Sequence, residues 1–525
     1  MILNGDEKQG IIINNFFNGN DYKIETLEFA DGSEVAFNQI GFELNQNSQT
    51  NDLTVTTYDD IVHLFDTPSN SVNVDAGNDV VYGGNYNDKI TGNTGDDILI
   101  GAAGDDTIYG DNDTSSYKYV GNDTLIGGKG NDYLAGGYGD DTYVYNLGDG
   151  LDTIYDTNGI DTLKFGEGIS LENFAYRAEG NNLRMILNGD ETQGLIIQDY
   201  FSGKPIENIE LSDGTIIDFT KIGFELNQNN LTNNLTTTNN DDIIHLAPDY
   251  NNINTSGGND TVYGNIFADT IDGGAGDDVV YGNDGNDKLI GHTGNDTLYG
   301  GEGNDSIYGD NESSSYKYVG NDTLIGGTGD DYLAGGYGDD SYIYNLGDGL
   351  DTIYDNNGTD KIVFGEGIEF ENISYRAEGN NLRMILKGDE NQGIIINNFF
   401  GSDDYKIETL EFADGSTVAF NQIGFELHQN NRTNELTTTS FDDTVHLSNT
   451  PSNSVNMGAG NDTVYGGSYN DTITGHTGND TLYGGDGNDS IYGDNESSSY
   501  KYVGNDTLIG GKGNDYLAGG YGDDS

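Results

Sequence analysis

GGAGDDVVY (Gly273 to Tyr281), GNDGNDKLI (Gly282 to Ile290), GHTGNDTLY (Gly291 to Tyr299) and GGEGNDSIY (Gly300 to Tyr308) follow one another without a break. Each phrase puts glycines in its first half, an aspartate at the sixth place and a large apolar residue at the eighth. In another copy, GGTGDDYLA (Gly326 to Ala334), the glycine half turns tightly, because glycine reaches positive φ without penalty and lets carbonyls crowd together. Asp331 closes the turn. Tyr332-Leu333-Ala334 then form a short strand with Leu333 pointing inward, since side chains alternate along β structure. Repetition of one such unit is the mark of a solenoid whose coils touch only their neighbours.

Composition sets the conditions under which such a stack folds. Asp and Glu number 90 against 20 Lys and Arg, a formal charge of −70. That excludes nucleic acid and anionic lipid as partners, which need clustered positive charge, and it suits cations. Hydrophobic residues are 34%, below the roughly 45–50% of ordinary globular domains. Without its periodicity the chain would be read as disordered. With it, folding becomes conditional on neutralising the acid. The absence of cysteine leaves metal as the available cross-link. No stretch reaches the length of an apolar membrane span, and the opening MILNGDEKQGIIINNFF lacks a signal-peptide pattern.

The nonapeptide resembles the RTX, or haemolysin-type, calcium-binding repeat, over most of the chain. The resemblance implies an all-β fold of tandem parallel β-rolls, in which two nonapeptides complete one flattened coil. Residues two nonapeptides apart then stack, so Ile271, Leu289 and Ile307 form one interior row and Val280 and Leu298 the opposing one. It further implies many Ca²⁺ ions between successive loops, held by the sixth-place aspartate and by loop carbonyls. The matching positions in the first block are Asp79, Asp88, Asp97 and Asp106, then Asp123, Asp132 and Asp141. In the second they are Asp260, Asp269, Asp278, Asp287, Asp296 and Asp305, then Asp322, Asp331 and Asp340. In the third they are Asp462, Asp471, Asp480 and Asp489, then Asp506, Asp515 and Asp524. For a lone aspartate an Asx turn is the plainer reading; recurrence in register favours ligation. Calcium accepts carboxylates and carbonyls at flexible angles, and magnesium is stricter. Glycines are lost before Asp88 (Asn85-Tyr86-Asn87) and before Asp269 (Asn265-Ile266-Phe267-Ala268), so weaker or vacant sites are expected there.

Each block is interrupted by GDNDTSSYKYV or GDNESSSYKYV (Gly110 to Val120, Gly309 to Val319, Gly493 to Val503). The step from Asp106 to Asp123 falls one short of two nonapeptides, which reads as a segment replacing about one turn. Tyr117 and Tyr119 there suit a carbohydrate, although a solvated irregular coil is the plainer alternative. Past the roll, YVYNLGDGLDTIYD (Tyr143 to Asp156) and YIYNLGDGLDTIYD (Tyr342 to Asp355) resemble the family's C-terminal flank. The segment Phe174 to Phe219 reads as an antiparallel β-meander with an Asp213-Gly214 hairpin turn, repeated with Asp414-Gly415. It resembles the haemolysin-type calcium-binding-related domain and is expected to cap the apolar end of a roll.

The expected order is a partial β-meander (1–44), a roll with its flank (45–165), a meander (166–227), a second roll with flank (228–364), a meander (365–428) and a truncated third roll (429–525). Met185-Ile-Leu-Asn-Gly-Asp190 repeats the opening Met1-Ile-Leu-Asn-Gly-Asp6, and the closing Tyr521 to Ser525 matches Tyr337 to Ser341, where the sequence runs on. The chain therefore reads as part of a longer protein. His63, His245 and His446 match one another, His292 and His476 replace a second-place glycine, and His428 is isolated. These read as surface residues, with no HExxH or GxSxG among them, and no active site is expected. The functional expectation is calcium binding that drives folding of a secreted bacterial exoprotein exported by a type I apparatus. The alternatives are an adhesin's stalk or carbohydrate-binding part, or an accessory region of a secreted hydrolase, epimerase or toxin.

Overall fold

The computed structural model describes residues 2–3, 6–10, 25–46, 52–112, 121–228, 234–311, 320–401, 407–429, 435–494 and 504–525. Among them regular structure is β-strand and short 3₁₀ turn, with no α-helix. Among the described residues no helix is long and apolar enough to cross a membrane. The chain divides into two compact units, Met1–Thr236 and Thr237–Ser525.

In the first unit, short strands alternate between two sheets. One sheet runs in parallel through Ile61–His63, Val80–Tyr82, Ile98–Ala103, Thr124–Lys129, Thr142–Tyr145, Thr162–Phe165 and Asn208–Glu210. The other runs through Ser71–Asn73, Lys89–Thr91, Thr107–Tyr109, Tyr133–Ala135, Leu151–Tyr155 and Gly194–Ile197. The inward residue of each strand makes the core. Val81, Leu99, Leu125 and Leu163 line one wall and Val72, Ile90, Ile108, Leu134 and Ile154 the other, all buried. One inward aliphatic per nonapeptide is a thin core, so the loops must be stabilised by something else.

The second unit repeats this plan. The expected interior rows are present: Ile271 pairs with Leu289 and Leu289 with Ile307, while Val280 pairs with Leu298. All five are shut off from solvent.

Two expectations need correcting. First, the interruptions do not replace a turn. Across the first one Ile98 still pairs with Thr124, and Thr107 with Tyr133. The linked aspartates Asp97 and Asp123, like Asp106 and Asp132, stand 26 apart in sequence, against 18 for Asp79 and Asp97 in a regular coil. The interrupted coil is therefore longer by most of a nonapeptide, and the ladder passes through it unbroken. Tyr117 and Tyr119 lie outside the described residues.

Second, the antiparallel segments do not end the sheet. In the second unit Leu350–Tyr354 pairs in parallel with Asp389–Ile396. That strand pairs antiparallel with Asn381–Leu386, which pairs antiparallel with Ile373–Glu378. Tyr375 is then parallel to Leu427, which opens the next parallel run at Val445. The hairpins carry the sheet onward because their outer strands each keep a free edge for parallel pairing. The Asp213-Gly214 turn forms as expected, with Gly214 at φ +85 and Asp213 accepting the Thr215 amide at 2.9 Å.

Candidate metal centre

Each sixth-place aspartate lies at the point where a loop becomes a strand, and its two oxygens have different surroundings. Asp97 Oδ1 accepts the Asp79 amide at 2.7 Å, and the Asp97 amide is donated to Asp123 Oδ1 at 2.9 Å. Asp123 donates to Asp141 at 2.7 Å. The result is an aspartate ladder along the loop edge. The second unit repeats it from Asp260 through Asp278, Asp296 and Asp322 to Asp340, each step at 2.8 Å. Asp462, Asp480, Asp506 and Asp524 form a third run. The opposite loop edge carries Asp106 and Asp132, Asp287, Asp305 and Asp331, and Asp489 and Asp515 in the same way.

The second oxygen is the informative one. Oδ2 is buried without any hydrogen-bond donor at Asp79, Asp97, Asp106, Asp123, Asp132 and Asp141. The same holds at Asp260, Asp278, Asp287, Asp296, Asp305, Asp322, Asp331 and Asp340, and at Asp462, Asp480, Asp489 and Asp506. A buried carboxylate oxygen left alone is costly unless a cation or proton compensates it.

Beside each such oxygen except those of Asp79, Asp260 and Asp462, where Val74, Thr255 and Met457 take the place, is a space held open by glycine. A methyl group built on Gly92 would collide with Asp97 Oδ2 and lie 2.6 Å from the Gly110 carbonyl oxygen. The same cradle recurs at Gly101 with Asp106 and the Gly127 carbonyl, and at Gly282 with Asp287 and the Gly300 carbonyl. Gly95, in the same turn, serves conformation instead, at φ +118. The donors are all oxygen, from carboxylates and carbonyls, which is the ligand chemistry of a hard cation with flexible coordination. The residues present fit Ca²⁺.

The electrostatics agree. Burial, the largest influence, pushes Asp97, Asp123 and Asp141 up to about 8 and Asp322 to about 9. The accepted amide pulls each down in part, and neighbouring aspartates push it up further. Without a cation, these groups resist ionisation at neutral pH.

Five sequence-assigned positions differ: Asp515 is only half-buried and Asp524 exposed, and three others are buried but fully engaged. Asp88 accepts from Asn70 with Oδ1 and from the Gly84 amide with Oδ2. Asp269 is engaged likewise by Asn251 and Asn265, and Asp471 by Asn453 and the Gly467 amide. Both oxygens of these three carboxylates are already served by the protein.

The ladder also extends beyond the nonapeptides. It begins at Asp60, Asp242 and Asp443, whose Oδ2 atoms accept from both the amide and hydroxyl of Thr56, Thr238 and Thr439. It continues past the last nonapeptide to Asp152 and Asp161, and to Asp351 and Asp360. A glutamate closes it, Glu207 or Glu408, accepting the amide of Asp161 or Asp360 at 2.7 Å. The available signal is the Asp-x-apolar triplet, as in Asp60-Ile61-Val62 and Asp161-Thr162-Leu163, which persists where the full glycine pattern does not.

His63, His245, His428 and His446 stack on the outer face of the strands, whereas His292 lies 3.2 Å from Asp272 Oδ1. His245 lies on Tyr263 at 4.9 Å, and His446 on Tyr465 at 4.9 Å. His428, isolated in sequence, packs against His446 at 4.6 Å because the two are paired on adjacent parallel strands, one coil apart.

Comparison with known proteins accords with this geometry. The model of the RTX calcium-binding nonapeptide repeat matches residues 82–114, 119–151, 254–289, 281–313, 318–350, 343–368, 458–491 and 502–525. The model of the haemolysin-type calcium binding protein related domain matches residues 1–39, 182–221 and 381–422. No curated protein matches. Among solved structures, the chain is similar to the extracellular lipase LipA from Serratia marcescens at 16% identity. That likeness covers 66% of this chain and 43% of that one, with a TM-score of 0.15; the chain thus spans less than half of the lipase. With the two family models together matching well over half of its length, the chain belongs to the RTX calcium-binding repeat proteins, and its repeats bind calcium ions.

Proposed function

We propose that the aspartates whose Oδ2 atoms are buried without a donor are the calcium ligands of this chain, together with the carbonyls of the adjoining glycine cradles. We further propose that calcium converts the chain from an extended to a folded state outside the cell. The observation that carries this reading is the row of orphaned Oδ2 atoms, recurring from nonapeptide to nonapeptide, all but the first of each block (Asp79, Asp260 and Asp462) facing a space only a glycine leaves open. Bound calcium supplies the positive charge that the ladder lacks. The chain's own residues do the rest: the amides of the preceding coil orient each carboxylate, and the inward aliphatics bring successive loops into register.

Before calcium is met, a net charge of −70 keeps the chain extended by self-repulsion, a state suited to passage through a type I secretion apparatus. Outside, millimolar calcium exceeds the dissociation constants of about 10⁻⁴–10⁻³ M typical of extracellular modules. Binding to the folded state alone then stabilises it by mass action. The region is a calcium-dependent folding element of a secreted protein.

The test is equilibrium dialysis of the chain against calcium and against magnesium. The expected result is many calcium ions per chain at millimolar concentration, with magnesium failing to displace them at equal concentration. Binding of one or two ions, or equal binding of magnesium, would count against the assignment.

A further inference from the structure

The coil that closes each aspartate ladder has a different composition from those before it. In earlier coils Gly92 faces the carbonyl of Gly110, its neighbour in the next coil. In the last coil the neighbour of Gly136 is Asp156, because Ala135 pairs with Tyr155. Where an interior cradle offers a backbone carbonyl, this one offers the Tyr143 hydroxyl, which is hydrogen-bonded to the Asp156 carboxylate.

Tyr143 fixes that carboxylate. It occupies the inward place that other coils give to Leu or Ile and is fully buried. Its hydroxyl accepts the Gly136 amide at 2.8 Å and donates to Asp156 Oδ2. Asp161 stands across the gap, its Oδ1 accepting the Asp141 amide at 2.9 Å. One carboxylate oxygen from each of Asp141, Asp156 and Asp161 lies within 4.8 Å of the other two, and all three residues are at most 5% exposed.

Two further atoms point to a ligand. Asp141 Oδ2 has no hydrogen-bond donor. Nor has the buried Oδ1 of Asp111, whose other oxygen takes the Tyr138 amide. A methyl group on Gly136 would collide with Asp141 Oδ2 and lie 2.5 Å from the Tyr143 hydroxyl, so the gap is lined by oxygen. The second unit builds the same arrangement with Asp340, Asp355 and Asp360, with Tyr342 donating to Asp355 at 2.7 Å. There Asp340 Oδ2 and Asp310 Oδ1 are the buried oxygens without donors.

We propose that each of these two ladders ends in a calcium site of its own kind that holds its ion more tightly than the interior cradles: the free Oδ2 of Asp141 or Asp340 is the ligand, and Asp156 with Asp161, or Asp355 with Asp360, whose own oxygens are engaged by the Tyr143 or Tyr342 hydroxyl and by backbone amides, add negative charge around it. The proposal rests on the reading that the ladders bind calcium. Affinity for calcium rises with the charge count and rigidity of the ligand set. The closing site has an extra carboxylate, and the tyrosine holds it in place so that little ordering remains to be done on binding.

The experiment is a calorimetric calcium titration of the full chain after chelator treatment, with circular dichroism at saturating calcium. Wild type is expected to show a tight class of two ions per chain ahead of a larger weak class. Asp156→Asn combined with Asp355→Asn should abolish the tight class and keep the weak one. Tyr143→Phe combined with Tyr342→Phe, which preserves the buried ring, should keep the tight class but weaken it about tenfold, the scale of lost outer-shell support. An unchanged tight class in either variant overturns the proposal, as does a single class in wild type. If the asparagine variant fails to regain β structure, the phenylalanine variant decides alone. No calcium binding by wild type would instead sink the ladder reading itself.

Discussion

Asp97 and Asp269 are alike in sequence position but unlike in what surrounds their second oxygen. Asp97 Oδ2 is orphaned in a glycine cradle, whereas Asp269 Oδ2 accepts from Asn265 Nδ2 at 2.8 Å. Asp97→Asn should therefore weaken calcium binding locally by at least about tenfold, since even outer-shell changes around a metal cost that much. Asp269→Asn should leave the calcium isotherm nearly unaltered. Equal effects in a side-by-side titration would mean that the orphaned oxygen is not what marks a ligand. Gly92 supplies a second test at this scale. Its φ lies outside the left-handed region, so Gly92→Ala costs nothing in its own φ; the added methyl fills the cradle and pushes on Asp97 Oδ2 and the Gly110 carbonyl. Calcium affinity should fall while the metal-free spectrum stays the same.

The strand and its loop are the unit that repeats, and the period of nine makes much of it readable. The inward rows follow directly from the eighth-place apolar residue, and the sixth-place aspartates from their spacing. Two things were not readable. The lengthened coil looks like a broken repeat in one dimension, because sequence spacing does not reveal that the inserted segment leaves the strand register intact. The ladder ends at Asp60 and Glu207 lack the glycine-rich half, so a glycine-based pattern passes over them. The core makes its own prediction. Ile108→Ala empties part of a fully buried row and should cost about 2–5 kcal/mol, seen as a lower denaturant midpoint in saturating calcium. A loss under about 0.5 kcal/mol, the level of ordinary surface substitutions, would show that the apolar row contributes little once calcium is bound.

At the scale of the whole chain, the buried aspartates tie folding to both protons and calcium. In the metal-free fold, burial raises Asp79, Asp106 and Asp296 to about 7 and Asp278 and Asp462 to about 8. A carboxyl group has a value of about 3.9 in an unfolded chain. A group raised on folding stabilises the fold fully below its unfolded value, and this contribution is lost as pH rises through the folded value. With chelator present, lowering the pH from 8 towards 4 should therefore increase β structure. With calcium present, the same change should release the ion, because the protons compete for the same oxygens. A chelated chain whose fold is indifferent to pH across that window would contradict the burial of these groups. The most direct test of the central claim is far-ultraviolet circular dichroism of the chain at pH 7.5, first in EGTA and then in millimolar calcium. Conversion of a largely disordered spectrum into a β spectrum, reversed by further chelator, is the predicted result; the same β content in both conditions would contradict it.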